Sequence, residues 1–552
     1  MSPATWLSET LARNAAAAAA RGPSIVEMWS RTPADAPCLI LPDRALSYGE
    51  IDAAARRAAS GLAALGVVEG DRVACWLPNL PEYLVAFLAC CRLGAVCVAV
   101  NTRYRSVEVG DIVGRSGAKV LVLAPGFRGI DFAGILKDVD PAEVPALETL
   151  VTVGEVPEPV ALGAARVVPW AELDAAPEMT GTQGGPGAPC KVFTTSGTTS
   201  GPKFVLHAQA TLARHGRDAG AGMGLDAEDS VLLQAIPFCG VFGMAQIMAA
   251  AAWGRPSVLP PAFDAAEAVA LMARHKVTHA NGGDDMLDRL MAAGGGALNP
   301  EFRRFGYARF NPALDDVAER AAARGITCLG LYGMSECMAL YSFQPVDAPI
   351  ARRKMGGGVP VSSEAAARVR DPETGEILPP GDRAGELELT GPSIMLGYLF
   401  NDEATARTFT EDGWLKTGDL ATSTPDGGFV FLNRMGDALR LGGFLTDPRE
   451  IETHLMTHPD VEACQVVGVQ AQGKPRAAAF VIPRPGAGVD EAALIAHCDG
   501  RLAKFKVPAR VFLVDRFPTT PSANGEKIQR NRLRETAQAA LDAAEKERNP
   551  VT

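Results

Sequence analysis

Between residues 48 and 66, apolar side chains recur at Tyr48, Ile51, Ala55, Ala58, Leu62 and Leu65. That spacing predicts one buried face of a helix. "DRVACWLP" (71 to 78) is a short continuous apolar run and predicts a buried strand, with a helix from about Pro81. "AVCVAVN" and "AKVLVLA" repeat the strand theme, and the rhythm returns between residues 229 and 345. Strands alternating with helices predict an α/β fold with a largely parallel sheet. From about residue 356 the texture changes to glycine, proline and short strands: "GELELTGP", "GWLKTGDLA", "GGFVFLNR". This predicts a β-rich subdomain. Residues 1–433 are therefore expected to form a large N-terminal domain of α/β subdomains plus the β-rich part. Residues 434–552 carry their own strand and helix pattern and are expected to form a small α+β domain.

The run "YLVAFLACCRLGAVCVAV" invites a membrane reading. Arg92 and Gly94 interrupt it, so a helix passing into a buried strand is expected instead. The 552 residues are 47% hydrophobic and 21% charged, as in a soluble protein with large cores. A net charge of −11 argues against a general nucleic-acid binder. The 11 cysteines show neither a CxxC pair nor zinc spacing, and no apolar signal core opens the chain. A reducing, cytoplasmic setting is expected.

Five stretches carry chemistry. "KVFTTSGTTSGPKF" (191 to 204) strings hydroxyls, glycines and a lysine together, which suits phosphate. It is read as a strand, a glycine-rich loop and then a helix over "VLHAQATLARH". It is not the common P-loop, because three residues separate Gly197 from Gly201 and Pro202 intervenes. "LGLYGMSEC" (329 to 337) reads as a strand running into a turn. There Tyr332 can face a purine, Ser335 can bond phosphate and Glu336 can hold Mg²⁺. A hydrolase elbow would need glycine where Cys337 stands. In "KTGD", Asp419 at a tight glycine turn suits two ribose hydroxyls. In "NRMGDALRLGGF", Arg434 and Arg440 can bond phosphate or carboxylate. "FPTTPSANGEKIQRNRLRE" carries Lys527 on a loop.

In this order the five resemble the adenylate-forming (AMP-binding) enzymes, in their acyl-CoA synthetase and aryl-CoA ligase branch, from about residue 25 to 535. The resemblance implies a fold in which the C-terminal domain is mobile about a hinge at Gly436. It implies an acid–CoA ligase using ATP, Mg²⁺ and coenzyme A. A carboxylic acid becomes acyl-AMP with release of pyrophosphate, then the acyl group passes to the coenzyme A thiol. Loading of a carrier-protein thiol is the alternative, and a non-catalytic nucleotide-binding relative is a third reading.

Residue by residue, the resemblance assigns phosphates and nucleotide to Thr195, Ser196, Gly197, Thr198, Thr199, Lys203, Ala308, Arg309, Phe310, Tyr332, Gly333, Asp419 and Arg434. Catalytic roles fall to Lys527, Glu336 and Ser335, with Glu336 at the metal. Leu441, Gly442, Gly443 and Phe444 would line the coenzyme A tunnel. Phe238, Gly240, Val241 and Asn281 would form the acyl pocket. Asp284 and Asp285 read either as caps of the following helix or as a polar end of that pocket. The sequence departs from the family pattern at Ser200, Phe204, "YARFNPAL" (307 to 314), Asn433, Gly436 and the longer "SANGEK". The implied partners are small molecules, without nucleic acid or a membrane span, and a homodimer is among the assemblies allowed.

Overall fold

In the computed structural model, the described residues are 6–548 apart from 196–201, 261, 296–297, 310–313, 315, 373, 382, 436–438, 443, 447 and 523–524. Two compact units emerge. One holds Met1–Thr102, Ile112–Thr194 and Phe204–Met435; the other holds Arg103–Asp111, Thr195–Lys203 and Gly436–Thr552. The expected boundary after residue 433 lies two residues before the break at 435/436, and Lys203 groups with the C-terminal residues.

The large unit contains an eight-stranded sheet, ordered Gly397–Tyr398, Lys203–Ala208, Pro189–Thr195, Val96–Ala99, Arg72–Trp76, Ala118–Leu123, Thr149–Thr152 and Arg166–Pro169. From Pro189–Thr195 onward the neighbours run parallel. Helices feed this sheet. Tyr48–Ala64 starts with a capping box, Ser47 bonding the Glu50 N–H and Glu50 returning to the Ser47 N–H. Its Tyr48, Ile51, Ala55, Ala58 and Leu62 are buried, as the periodicity predicts. Pro81–Leu93 begins on proline and stops at Gly94, whose φ of 69° suits glycine. Strand Val96–Ala99 follows, so the long apolar run is a helix, a left-handed stop and a strand. Among the described residues, no helix is long and apolar enough to cross a membrane.

A fourteen-stranded sheet forms the rest of this unit. Its strands His279–Gly283, Arg304–Ala308 and Thr327–Met334 pair in parallel. Beyond Met338–Phe343 the strands pair antiparallel, through Gly357–Pro360, Phe429–Arg434, Leu415–Ser423 and Gly385–Thr390. This is the β-rich region expected after residue 356.

One local expectation is corrected. "FVLHA" is not the start of a helix. Lys203–Ala208 is a strand and the helix begins at Gln209. Phe204, Val205 and Leu206 are buried, and Leu206 and Val205 pair with Gly397 and Tyr398. A run apolar on both faces is better buried inside a sheet than on one helix face. Along the chain, the phosphate-type stretch therefore connects two strands rather than a strand and a helix.

The smaller unit centres on the hairpin Val461–Ala471 and Lys474–Pro483, turned by Gln472 and Gly473 with φ of 53° and 67°. Two central residues at positive φ match the strand twist of a two-residue hairpin. Arg510–Leu513 adds in parallel. Its helices are Pro448–Leu455, Glu491–Cys498 and the C-terminal Arg530–Arg548.

Candidate active site

"YGMSE" closes one strand and opens the next. Thr327–Met334 turns over residues 335–337 and returns as Met338–Phe343. A Cβ on Gly333 would lie 2.4 Å from the Ala339 Cα, so a glycine lets the two arms close. Met338 and Leu340 both take φ of 67°. Left-handed geometry in a side-chain-bearing residue costs about 1–3 kcal/mol, so neighbours must hold it. Two buried histidines do so. His207 donates through Nε2 to the Ser335 carbonyl at 2.7 Å, and His215 to the Ala339 carbonyl at 2.7 Å. The carbonyl partner fixes the Nε2–H tautomer. Burial brings both imidazoles down to about 4, against the opposite pull of these hydrogen bonds. Both are neutral at ordinary pH. The Met395 N–H donates to the Glu336 carbonyl at 2.8 Å. The turn bearing Ser335 and Glu336 is thus pinned at three carbonyls.

The Glu336 carboxylate is buried, and the Tyr398 hydroxyl donates to its Oε1 at 2.8 Å. Asp419 lies on strand Leu415–Ser423, its N–H donating to Thr417 Oγ1 at 3.0 Å. The Tyr332 hydroxyl donates to Asp419 Oδ2 at 2.5 Å. Tyr332 also meets Phe429 edge-on, with ring centroids 5.2 Å apart, and Phe431 at 5.8 Å. Asp419 is the register partner of Arg434 on the neighbouring strand. The structure therefore joins the "YGMSE" and "KTGD" motifs directly, although the two side chains are 87 positions apart.

Other expected site residues fall as follows. Thr195 ends the strand Pro189–Thr195, and Lys203 begins the next. Ser196, Gly197, Thr198 and Thr199 lie outside the described residues. Ala308 is the buried end of strand Arg304–Ala308, exposed Arg309 follows, and Phe310 lies outside the description. Phe238 is buried; its N–H donates to Asn79 Oδ1 at 2.8 Å and its ring lies 5.6 Å from that of Tyr83. Gly240 caps helix Val241–Ala251, and a Cβ there would meet only the Pro237 carbonyl at 3.6 Å. Nothing local demands a glycine at 240.

Asn281 is wholly buried on strand His279–Gly283. Its Nδ2 lies 3.0 Å from Met223 Sδ, and its Oδ1 occupies the space that a Cβ on Gly306 would take. Asp284 and Asp285 do not supply the cap expected of them: Gly283 is the N-cap, without a side-chain bond. Asp284 is the first helical residue and accepts the Asp285 N–H at 2.9 Å. The strand runs straight into the helix, which moves the cap back by one residue.

In the smaller unit, Leu441 is buried in that unit's own core. Gly442 takes φ of 58°, and a Cβ there would approach Phe505 Cβ to 2.8 Å. Phe444 opens the partner strand, and Gly443 and Gly436 lie outside the described residues. Lys527 sits on strand Gly525–Ile528 opposite Thr520. Lys506 is buried, with Nζ 2.7 Å from Glu450 Oε2 and 3.5 Å from Glu108 Oε1.

Sequence reading missed His207, His215 and Tyr398. Lone histidines inside apolar runs and a lone tyrosine before a leucine carry no signal of their own. Their partners are 128, 124 and 62 positions away.

Comparison with known proteins bears on this arrangement. The family description "AMP-binding enzyme" matches residues 26–399, and "AMP-binding enzyme C-terminal domain" matches residues 450–524. Feruloyl-CoA synthase from Amycolatopsis sp is 33% identical over 494 residues, covering 87% of this chain and 92% of that protein. 4-Coumarate–CoA ligase 5 from Oryza sativa subsp. japonica is 30% identical, covering 92% of this chain and 93% of the relative. Among solved structures, ATP-bound MatB from Rhodopseudomonas palustris is similar at 27% identity and a TM-score of 0.64, over 94% of this chain and 100% of that one. With its motifs in order along matched segments that span most of its length, the chain belongs to the AMP-binding, adenylate-forming enzyme family.

Proposed function

We propose that the site joins a carboxylic acid to coenzyme A in two steps. The chain is an ATP-dependent acid–CoA ligase. The acid's carboxylate attacks the α-phosphorus of ATP, forming acyl-AMP and releasing pyrophosphate. The coenzyme A thiol then attacks the acyl carbon, forming the thioester and releasing AMP. The observation that carries this reading is the Tyr332–Asp419 hydrogen bond at 2.5 Å. It draws the adenine and ribose motifs together, with the Asp419 carboxylate fixed beside the Tyr332 ring.

Carboxylate and ATP are both anions, so positive charge and fixed donors must offset their repulsion. Lys203 and the hydroxyls of Thr195, Ser196, Thr198 and Thr199 would hold phosphates. Lys527 would stabilise charge developing at the α-phosphate, and Ser335 would bond one of its oxygens. Arg434, beside Asp419 in register, would serve the nucleotide. Magnesium fits Glu336, a buried carboxylate with one oxygen held by Tyr398 and the other kept for a cation. Among the described residues no cluster of three metal-ligating side chains exists. A hard cation shared between one carboxylate and substrate phosphates needs none. When bound, it would neutralise phosphate charge.

The acid faces Phe238, Gly240, Val241 and Asn281, and the bare Gly240 leaves room for a ring. Leu441 to Phe444 would pass the pantetheine arm, by backbone where Leu441 is core. Gly436, next to the break between the compact units, would be the hinge. The test is a panel of fatty, aryl and hydroxy acids. Pyrophosphate should appear without coenzyme A, and thioester only with it. Pyrophosphate from an accepted acid with no acyl-CoA formed would remove coenzyme A as acceptor. No pyrophosphate from any acid would remove the reading.

A further inference from the structure

Lys191 is wholly buried in the eight-stranded sheet. Its Nζ lies 2.7 Å from the Tyr83 hydroxyl and 3.2 Å from Cys97 Sγ. The rings of Tyr83, Phe87 and Phe193 surround it at 4.6, 5.6 and 5.6 Å. Among the described residues no carboxylate pairs with it. A buried ammonium without a counter-charge is costly, and Cys97 is the acidic group that touches it with a soft anion to offer. Cys75 completes the cluster, its sulfur 3.6 Å from that of Cys97. Burial alone would push the Cys97 thiol up. The Cys75 hydrogen bond and the Lys191 ammonium override it and bring it to about 6, while Cys75 is pushed well up as the proton donor. Cys97 and Lys191 are direct register partners on adjacent parallel strands, whereas Cys75 is opposite Ala99, two residues along.

We propose that Cys97 and Lys191 are a modification site: a peroxide oxidant links them covalently through a sulfur–nitrogen bond. The Cys97 thiolate attacks one peroxide oxygen and the O–O bond breaks. The Lys191 ammonium gives its proton to the departing hydroxide, which leaves as water. Sulfur is now a sulfenic acid, oxidised by two electrons, and the amine is neutral. The Lys191 nitrogen then attacks sulfur, the S–O bond breaks, and a second water leaves. Two thiols of an added reductant reverse the link and become a disulfide. Register favours lysine over Cys75 as the second partner, because a disulfide to the diagonal neighbour would require strand movement, and Cys75 holds its proton.

The test is hydrogen peroxide applied to the folded full chain, followed by unfolding, alkylation, trypsin and mass spectrometry. The expected product is a Cys97 peptide joined to the Lys191 peptide, lighter by two hydrogens than the sum. Cleavage after Lys191 should be lost and should return with dithiothreitol. Protein oxidised in urea should lack the link, and Cys75→Ala should retain it. Free, alkylated Cys97 after native oxidation would overturn the proposal. So would a Cys97–Cys75 disulfide, or Cys97 sulfinic acid without a link.

Discussion

Among the described residues two lysines are buried, one in each compact unit, and they are neutralised in opposite ways. Lys506 sits between two carboxylates, Glu450 and Glu108, and over the Tyr104 ring at 5.3 Å. Lys191 has a thiol, a phenol and three aromatic faces. Glu108 also accepts the Ala503 N–H at 2.8 Å, so the Lys506 cluster is wired to its backbone. Burial opposes the Lys506 charge, but the two carboxylates win and raise its pKa. The difference concerns what remains after a proton or a side chain is removed. Two carboxylates stranded in a core without their cation are costly whether they stay charged or take up protons, whereas a single thiolate returns to an apolar thiol that a core accepts.

Truncation should break the comparison most strongly. Lys506→Met leaves two acidic groups facing each other and should cost about 3–5 kcal/mol of stability. Lys191→Met should cost less, about 1–3 kcal/mol, with only the Tyr83 hydroxyl unpaired. Urea unfolding of both variants measures this, and equal losses would erase the distinction.

A third lysine sharpens it. Lys527→Ala should slow adenylation by about 10²–10³, yet convert preformed acyl-adenylate and coenzyme A to thioester at close to the normal rate. Lys506→Met should damage both half-reactions alike, through the fold. If Lys506→Met stops only adenylation, the catalytic lysine has been misassigned.

The two clusters should also respond at opposite ends of the pH scale. Cys97 is depressed in the folded chain, to about 6. Its contribution is complete above the unfolded thiol value and is lost as pH falls through about 6. Lys506 is raised, so its contribution is complete below the ordinary lysine value and lost only in stronger alkali. Unfolding free energies of the native chain minus those of Cys97→Ser, taken from pH 9 to pH 5, should fall on the acid side. A flat difference would refute the thiolate.

At the nucleotide motifs the expected effect is on binding rather than on stability. Asp419→Ala should weaken ATP binding by about 1.5–3 kcal/mol. Tyr332→Phe should weaken it less, because the Asp419 carboxylate itself is kept and its backbone N–H still donates to the Thr417 hydroxyl. Unchanged affinity in Asp419→Ala, by calorimetry, would remove Asp419 from the site.

Local pattern alone was enough for much of this protein. The helix at Tyr48–Ala64, the stop at Gly94, the β-rich stretch after residue 356 and the family's motif order follow from periodicity, glycine and short-range spacing. These depend on neighbours in the chain, and so a reader of the chain can find them. What only the tertiary structure decided is what depends on partners far along it. The run Lys203–Ala208 is a strand because sheet neighbours on both sides bury it, and its sequence suits either element. His207 and His215 became supports of the Ser335 turn, and Tyr398 of Glu336, through hydrogen bonds across more than 60 positions. Lys191 reads in sequence as one cation before a phosphate-type loop. Its depth, and the thiol set beside it, came from strand register, which no local spacing encodes.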